Sequence, residues 1–424
     1  MILSEGGIFT KRMRSIFIKN KDNFFSFGAT LSRAISRFLL VLLASFLLTT
    51  YEFGIFNIFL SIYFFSRLFS ENSLHLPFIK FATDGENEPA EVNFQIILLK
   101  ILYVFIVSMV IFIFADFIVH YSGLERKKLL FFLPLMLLSL TMYMFVGQVL
   151  IARMRLRLLF IYELLNCLVF ILFLTGAYFL TEHFSTENII VIFSLGMIVS
   201  AVAGGILFRR LIDIAVKIKK VLLWKIVHYS KFTVLSGISS VIIVKSDVLM
   251  LGYLCSPQEV GIYGMAMFVN EAVNMVFDSV LRVCLPKASE LAGNKERLLL
   301  LFQESVKNIY IGIIPIVAVI AIAAPSVIHL VYSGKYDDSI NLIYLFLASS
   351  VVKPVGHVAG IILGATGNIR LDNRNCWISA MLNLIFNYLF IPKYGVMGAA
   401  IASTISFTSL TVLHYLSFRK IVTS

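Results

Sequence analysis

HYSKFTVLSGISSVIIVKSDVLMLGYLCSPQEVGIYGMAMFVNEAVNMVFDSVLRVCLPKASE, residues 228–290, reads as two membrane-spanning helices joined by a short polar turn. The first runs over Phe232–Leu254, enough at about 1.5 Å per residue to cross an apolar slab of roughly 30 Å. Lys245 and Asp247 sit near its middle. The turn carries Pro257 and Gly261, as turns do. In the second helix, Ile262–Pro286, Glu271, Asn274, Asp278 and Arg282 follow one another at helical spacing and form a stripe on one face. A charge at membrane depth costs about 2.5–3.5 kcal/mol on insertion scales. A chain that keeps several is expected to aim them at a water-filled cavity, with the remaining spans as its wall.

Composition supports that reading. Of 424 residues, 59% are hydrophobic and only 14% charged, against about 25% in a soluble domain, and mean hydropathy is +0.92. No stretch is long and polar enough for a soluble domain, so function must lie in or near the bilayer. The net charge of +12 does not point to nucleic acid, because the basic residues fall in short loops between apolar runs. Cys167, Cys255, Cys284 and Cys376 show neither metal-ligand nor disulfide spacing. Residues 1–26 are polar and basic, and the first apolar run is too long for the core of a signal peptide, so no cleavable signal peptide is expected.

Twelve apolar runs occur, at 27–50, 53–79, 94–119, 129–150, 158–180, 188–208, 232–254, 262–286, 306–331, 339–364, 375–391 and 397–418. The connections between them alternate in charge. One side carries 24 of the 36 lysines and arginines and the other only five. The bias of basic residues toward the cytoplasm puts both termini there, and an even number of spans agrees. The longest connection, 209–231, then divides a bundle of six spans over 27–208 from a second over 232–418, with a cytoplasmic segment 1–26 before them and a tail 419–424 after. The halves echo each other: Glu52-Phe-Gly-Ile-Phe56 follows the first span and Glu259-Val-Gly-Ile-Tyr263 the seventh, a shift of 207 residues. Six spans per half make this a parallel repeat about an axis along the membrane normal.

Charges inside the spans are the candidate site. Arg33 and Arg37 share a face of the first span. They either snorkel to the cytoplasmic surface or meet an anion in the cavity. Lys245 and Asp247, two apart, point in nearly opposite directions. Asp278 and Arg282, four apart, form a pair or face the cavity, and Arg67 is a cavity cation or a partner for an acid such as Asp278. In the tenth span, Lys353-Pro-Val-Gly-His357 combines a cation with a proline that removes a backbone donor, so either a break near mid-membrane or a packing kink with Lys353 paired to an acid is expected there. Asp116 and Glu163 lie near span ends, where interfacial placement is expected. Asn383 and Asn387 share a face of the eleventh span and are expected to bond to other helices. No phosphate-cradling glycine loop, metal-ligand cluster or nucleophile with an adjacent base is present, and no ATP-binding domain. The chain reads as no enzyme, with no cofactor, driven by an ion gradient, the membrane potential or the ligand's own gradient.

Five stretches resemble one family: SRAISRFLLVLLASFLLTTYEFGIFNI at 32–58, KSDVLMLGYLCSPQEVGIYGMAM at 245–267, APSVIHLVYSGKYDDS at 324–339, LGATGN at 363–368 and IPKYGVMGAAIAST at 391–404. With the span count, the chain resembles the polysaccharide-specific transporters, the O-antigen (Wzx-type) flippases, of the multidrug/oligosaccharidyl-lipid/polysaccharide flippase superfamily. The resemblance implies an all-α membrane fold of two six-helix bundles, V-shaped around a central cationic cavity. It implies translocation of an undecaprenyl-pyrophosphate-linked oligosaccharide across the bacterial inner membrane, with a polysaccharide polymerase and a chain-length regulator as partners. By position in those motifs, Arg33, Arg37, Lys245 and Asp247 would face the cavity. Arg67, Arg282 and Lys353 join them on depth alone. Asp247, Glu271, Asp278 and His357 are the candidates for coupling to a proton or sodium ion, or for ion pairs within the cavity. A cation-coupled multidrug antiporter of the same superfamily would favour acids in its cavity, whereas these six cations favour an anion such as pyrophosphate.

Overall fold

The computed structural model describes Phe25 and residues 28–36, 38–180 and 184–423, leaving aside the side chains of residues 70, 180, 232, 236, 275–279, 282 and 283. It is almost wholly helical. The elements are α1 (Gly28–Leu47), α2 (Thr50–Arg67), α3 (Ser73–Thr83), α4 (Pro89–Ile113), α5 (Ala115–Ser122), α6 (Leu133–Ala152), α7 (Leu156–Leu180), α8 (Thr186–Leu207), α9 (Lys220–Leu254), α10 (Pro257–Glu290), α11 (Lys295–Tyr332), α12 (Ile340–Ala365) and α13 (Ile369–Thr423). A π-turn at Leu68–Asn72 joins α2 to α3 in one run. Gly395, with φ of 54°, breaks α13 into two segments. Counting α2–α3 and α4–α5 as single runs and α13 as two gives the twelve expected from the sequence. Nine helices among the described residues are long and apolar enough to cross a bilayer. Large apolar side chains such as Leu172 and Ile322 lie mostly exposed on them, as helices that face lipid require.

The helices outrun the apolar stretches at several ends. α9 starts at Lys220 and α11 at Lys295, well before the expected 232 and 306. Part of the stretch read as a linker is therefore helix, and Leu222 and Ile226 are buried beside Phe78, Val92 and Phe145. Polarity marks where a helix leaves lipid, and does not mark where it ends.

The chain packs as two compact units. Of the described residues, the first takes those up to 43, 66–112 and 131–234, with α6 packed on α3, α7 and α8. The second takes 44–65, 113–130 and everything from Leu235 on, with α12 packed on α10, α11 and α13. The second unit thus includes two stretches of the first half of the sequence: the end of α1 with most of α2, and α5 with the turn after it.

Inside the second unit the sequence echo becomes a symmetric contact. A Cβ on Gly54 would lie 1.6 Å from the Pro257 carbonyl oxygen, and one on Gly261 2.1 Å from that of Thr50. A Cβ on Gly264 would lie 2.5 Å from Asn57 Nδ2. The partners Thr50/Pro257, Gly54/Gly261 and Asn57/Gly264 are each 207 residues apart. Residue i of one repeat therefore meets the counterpart of its own neighbour, the reciprocity of a two-fold contact, and glycine alone allows the backbones so near. Both helices also start alike. Ser256 and Glu259 form a complete capping box on α10, and Thr49 accepts from the Glu52 amide at 3.2 Å on α2.

Candidate functional site

Asp247 lies on α9 and is 1% exposed. Its carboxylate accepts from the Tyr263 hydroxyl of α10, the Ser403 hydroxyl of the second segment of α13 at 3.1 Å and the Val248 amide at 2.8 Å. Asn383 extends the network. It accepts from Ser246 at 2.8 Å and Asn387 at 3.0 Å, and donates to Ser403 at 3.4 Å. Every one of these partners is neutral, and among the described residues no cation lies within ion-pairing distance of Asp247. A buried carboxylate held this way is stabilised by dipoles rather than by a direct ion pair.

Lys353 on α12 is likewise buried, 2% exposed. Its ammonium reaches Asn270 Oδ1 at 3.5 Å and the face of Phe407 at 4.3 Å. Ser350 donates to the same Asn270 oxygen at 2.9 Å. No carboxylate of the described residues pairs with it. The break expected beside it is not there: α12 runs through Pro354 as one helix. Gly356 serves close packing instead, since a Cβ on it would lie 2.5 Å from Thr411 Cα. The break falls between the last two spans, at Gly395.

Lys245, two residues from Asp247, turns the other way, as that spacing demands. It lies 3.5 Å from Glu271 Oε1 and 4.9 Å from the centre of the Phe64 ring. Glu271 is exposed and His357 half-buried. Arg37, and the side chains of Asp278 and Arg282, lie outside the described residues.

The first unit treats its charges differently. Arg33 Nε donates to Glu163 Oε1 at 2.9 Å, and the Tyr143 hydroxyl donates to the other oxygen. Glu163, near the start of α7, is fully buried because its partner arrives from a helix 130 residues away. Lys100 Nζ, also fully buried, donates to Glu71 Oε2 at 2.7 Å and Gln148 Oε1 at 2.9 Å. Gln148 Nε2 lies 2.9 Å from His75 Nδ1. Sequence reading passed over the Lys100–Glu71 pair. A lysine inside a 25-residue apolar helix was the available signal, and only the fold supplies the acid. Arg67 is half-buried at the end of α2. Asp116 lies exposed, 2.6 Å from Lys127.

One cation outside the spans is also held by neutral groups. Lys335, in the turn after α11, donates to the carbonyls of Ser45, at 2.8 Å, and Leu48. Both lie at the C-terminal end of α1, where unpaired carbonyls attract a cation. Burial pushes its ammonium down to about 8.

Residues 20–292 match the family model described as polysaccharide biosynthesis protein. Among curated proteins, the chain is 28% identical over 195 residues to a probable low-salt glycan biosynthesis flippase of Haloferax volcanii, covering 45% of this chain and 41% of that one. It is 24% identical over 182 residues to a capsular polysaccharide biosynthesis protein of Staphylococcus aureus, covering 41% and 44%. The chain spans less than half the length of these two relatives. Two solved structures share its fold. One is a multidrug resistance transporter of the MATE family in an inward-facing conformation, with TM-score 0.80 and 13% identity over 92% of this chain and 94% of that one. The other is a lipid II flippase in an inward closed conformation, with TM-score 0.76 and 15% identity over 94% and 90%. The multi-pass helical architecture, the repeat and the family match over 20–292 agree: the chain belongs to the polysaccharide biosynthesis protein family of membrane proteins.

Proposed function

We propose that the chain is a flippase for a lipid-linked oligosaccharide, carried on undecaprenyl pyrophosphate. It moves its cargo from the cytoplasmic to the periplasmic leaflet of a bacterial inner membrane by alternating access. Its termini are cytoplasmic, and a proton or sodium gradient drives it. The relatives named as a glycan flippase and a capsule biosynthesis protein support the substrate class. The observation that carries the reading is Lys353, a buried cation with only neutral partners among the described residues. A pyrophosphate supplies the missing counter-charge, so ligand binding relieves a cost that the free protein bears. Within the proposed anion-binding set of Arg33, Arg37, Arg67, Lys245, Arg282 and Lys353, this residue carries most of the argument. Asp247 is the proposed coupling group, with Glu271, Asp278 and His357 as further candidates.

The test is a deletion strain complemented by variants, scored as surface polysaccharide per unit of inserted protein. Lys353→Ala loses export while inserting normally, and Lys353→Arg keeps part of it. Lipid-linked oligosaccharide accumulates on the cytoplasmic leaflet of the deletion strain. Full export by Lys353→Ala ends the anion reading.

The neutral cage around Asp247 favours a second reading, a cation-coupled antiporter of small molecules. In that case Asp247→Asn abolishes drug or cation efflux, and Lys353 is dispensable. The topology has its own check: a cysteine at position 220 labelled by an impermeant reagent from outside intact cells contradicts the cytoplasmic assignment.

A further inference from the structure

Asp372, Cys376 and His414 were not expected to act together, since 38 residues separate the last two and no metal-ligand spacing links them. The fold gathers them. One oxygen of Asp372, the Cys376 sulfur and a ring nitrogen of His414 lie within 4.8 Å of one another. Asp372 and Cys376 are four apart on the first segment of α13, hence on one face. His414 comes from the second segment, past Gly395.

The imidazole is oriented from behind. His414 Nδ1 lies 3.2 Å from the Gly356 carbonyl oxygen of α12, so it carries the proton and donates it there. That leaves Nε2 with a lone pair. Nε2 is buried and makes no hydrogen bond, yet it lies 3.1 Å from Asp372 Oδ1. With the imidazole neutral, two acceptors face each other at that distance, on a residue only 5% exposed. A cation between them turns repulsion into ligation. Gly360 keeps the space: a Cβ there would lie 2.9 Å from the His414 ring and 3.4 Å from Asp372 Oδ1.

We propose that Asp372, Cys376 and His414 form a binding site for one borderline-soft divalent metal ion of the zinc class. The donor set selects the ion. A sulfur ligand disfavours magnesium and calcium, which take oxygen. A nitrogen, a sulfur and a carboxylate oxygen match zinc, at about 2.0–2.3 Å from each. The Gly356 carbonyl behind Nδ1 is the outer-shell partner that ligating histidines use. Three protein ligands leave a fourth position for water. Coordination displaces the thiol proton of Cys376 to solvent, leaving thiolate on the metal. The bound ion would tie the two segments of α13 to each other beside α12.

Tag-free protein in detergent, stripped with EDTA, is titrated with cobalt(II) as a spectroscopic stand-in. The expected result is one equivalent bound, with a near-ultraviolet thiolate-to-cobalt charge-transfer band that zinc bleaches. Cys376→Ser removes the band, whereas Cys255→Ser leaves it. His414→Gln and Asp372→Asn weaken cobalt binding at least about tenfold, the loss that even an outer-shell partner typically brings. No band at stoichiometric cobalt reduces the cluster to a histidine–carboxylate ion pair and overturns the proposal. A band that survives Cys376→Ser overturns it as well. Should His414→Gln fail to fold, the two cysteine variants still decide, because Cys376 is half-buried and serine is nearly its isostere.

Discussion

Lys100 in the first unit and Lys353 in the second are both lysines buried inside spans, 0% and 2% exposed. Lys100 sits 2.7 Å from the carboxylate of Glu71, whereas Lys353 finds an amide oxygen at 3.5 Å and an aromatic face. The same contrast separates the acids. Glu163 accepts from Arg33, while Asp247 accepts from hydroxyls and an amide. Ion-paired charges within a low-dielectric interior lock helices together and leave little net charge for a ligand to find. Charges seated on dipoles remain uncompensated, and a mobile ion or an anionic headgroup can complete them. The Lys100–Glu71 pair therefore reads as scaffold, and Lys353 and Asp247 are the groups we propose to meet ligand and ion.

The largest effect should come from halving a buried pair. Lys100→Met strands Glu71, and loss of one partner of a buried pair costs about 3–5 kcal/mol. The yield of monodisperse protein and its thermal midpoint in detergent should fall steeply. The double variant Lys100→Met/Glu71→Met should recover most of the loss, because removing both charges is often neutral. If the single variant is as stable as the parent, the pair is no scaffold and the contrast fails.

Glu163→Gln comes next. It keeps the shape of the side chain but leaves Arg33 with a neutral acceptor, at a cost of about 1.5–3 kcal/mol, the worth of a hydrogen bond to a charged group. Arg33→Met on the same background tests whether arginine or carboxylate matters more, read again as a thermal midpoint.

Asp247→Asn reverses the pattern. The amide oxygen can still accept from the Val248 amide while the NH2 donates to the Tyr263 and Ser403 hydroxyls, so stability should change by only about 1 kcal/mol, while transport falls at least tenfold. Wild-type polysaccharide at wild-type expression would demote Asp247 to packing. Lys353→Met should be as mild on stability, since the lost ring contact of about 1–2 kcal/mol is offset by the relieved desolvation. Its export should nonetheless fail, and a collapse in stability comparable to that of Lys100→Met would erase the distinction between the units.

The last effect is that of Lys335, which stands half in solvent, so screening discounts what its shift contributes. Its ammonium titrates near 8 in the folded chain, against about 10.4 when free. Between those values the unfolded chain holds the extra proton, so stability rises with pH across that window and is lost as pH falls through 8. Lys335→Met should flatten that slope, measured as thermal midpoint between pH 7 and 10.

Some of this was legible in the sequence. Burying roughly 20 apolar residues per span is a local requirement, so twelve runs and their alternating loop charge could be read directly. The Glu-x-Gly-Ile echo disclosed the repeat, because only glycine permits the backbone approach that Gly54 and Gly261 make. Lys245 and Asp247 were bound to face opposite ways by helix geometry alone. Helix ends were not legible: α9 and α11 continue past the lipid because a helix needs no apolar environment to persist. Nor was the seating of the charges. Glu71 and Lys100 are 29 residues apart, Arg33 and Glu163 130 apart, and Asp372 and His414 are joined only by the fold of α13. Whether a buried charge meets an opposite charge, a dipole or a further donor depends on which helices become neighbours. Spacing within one helix carries no record of that, and only tertiary packing decides it.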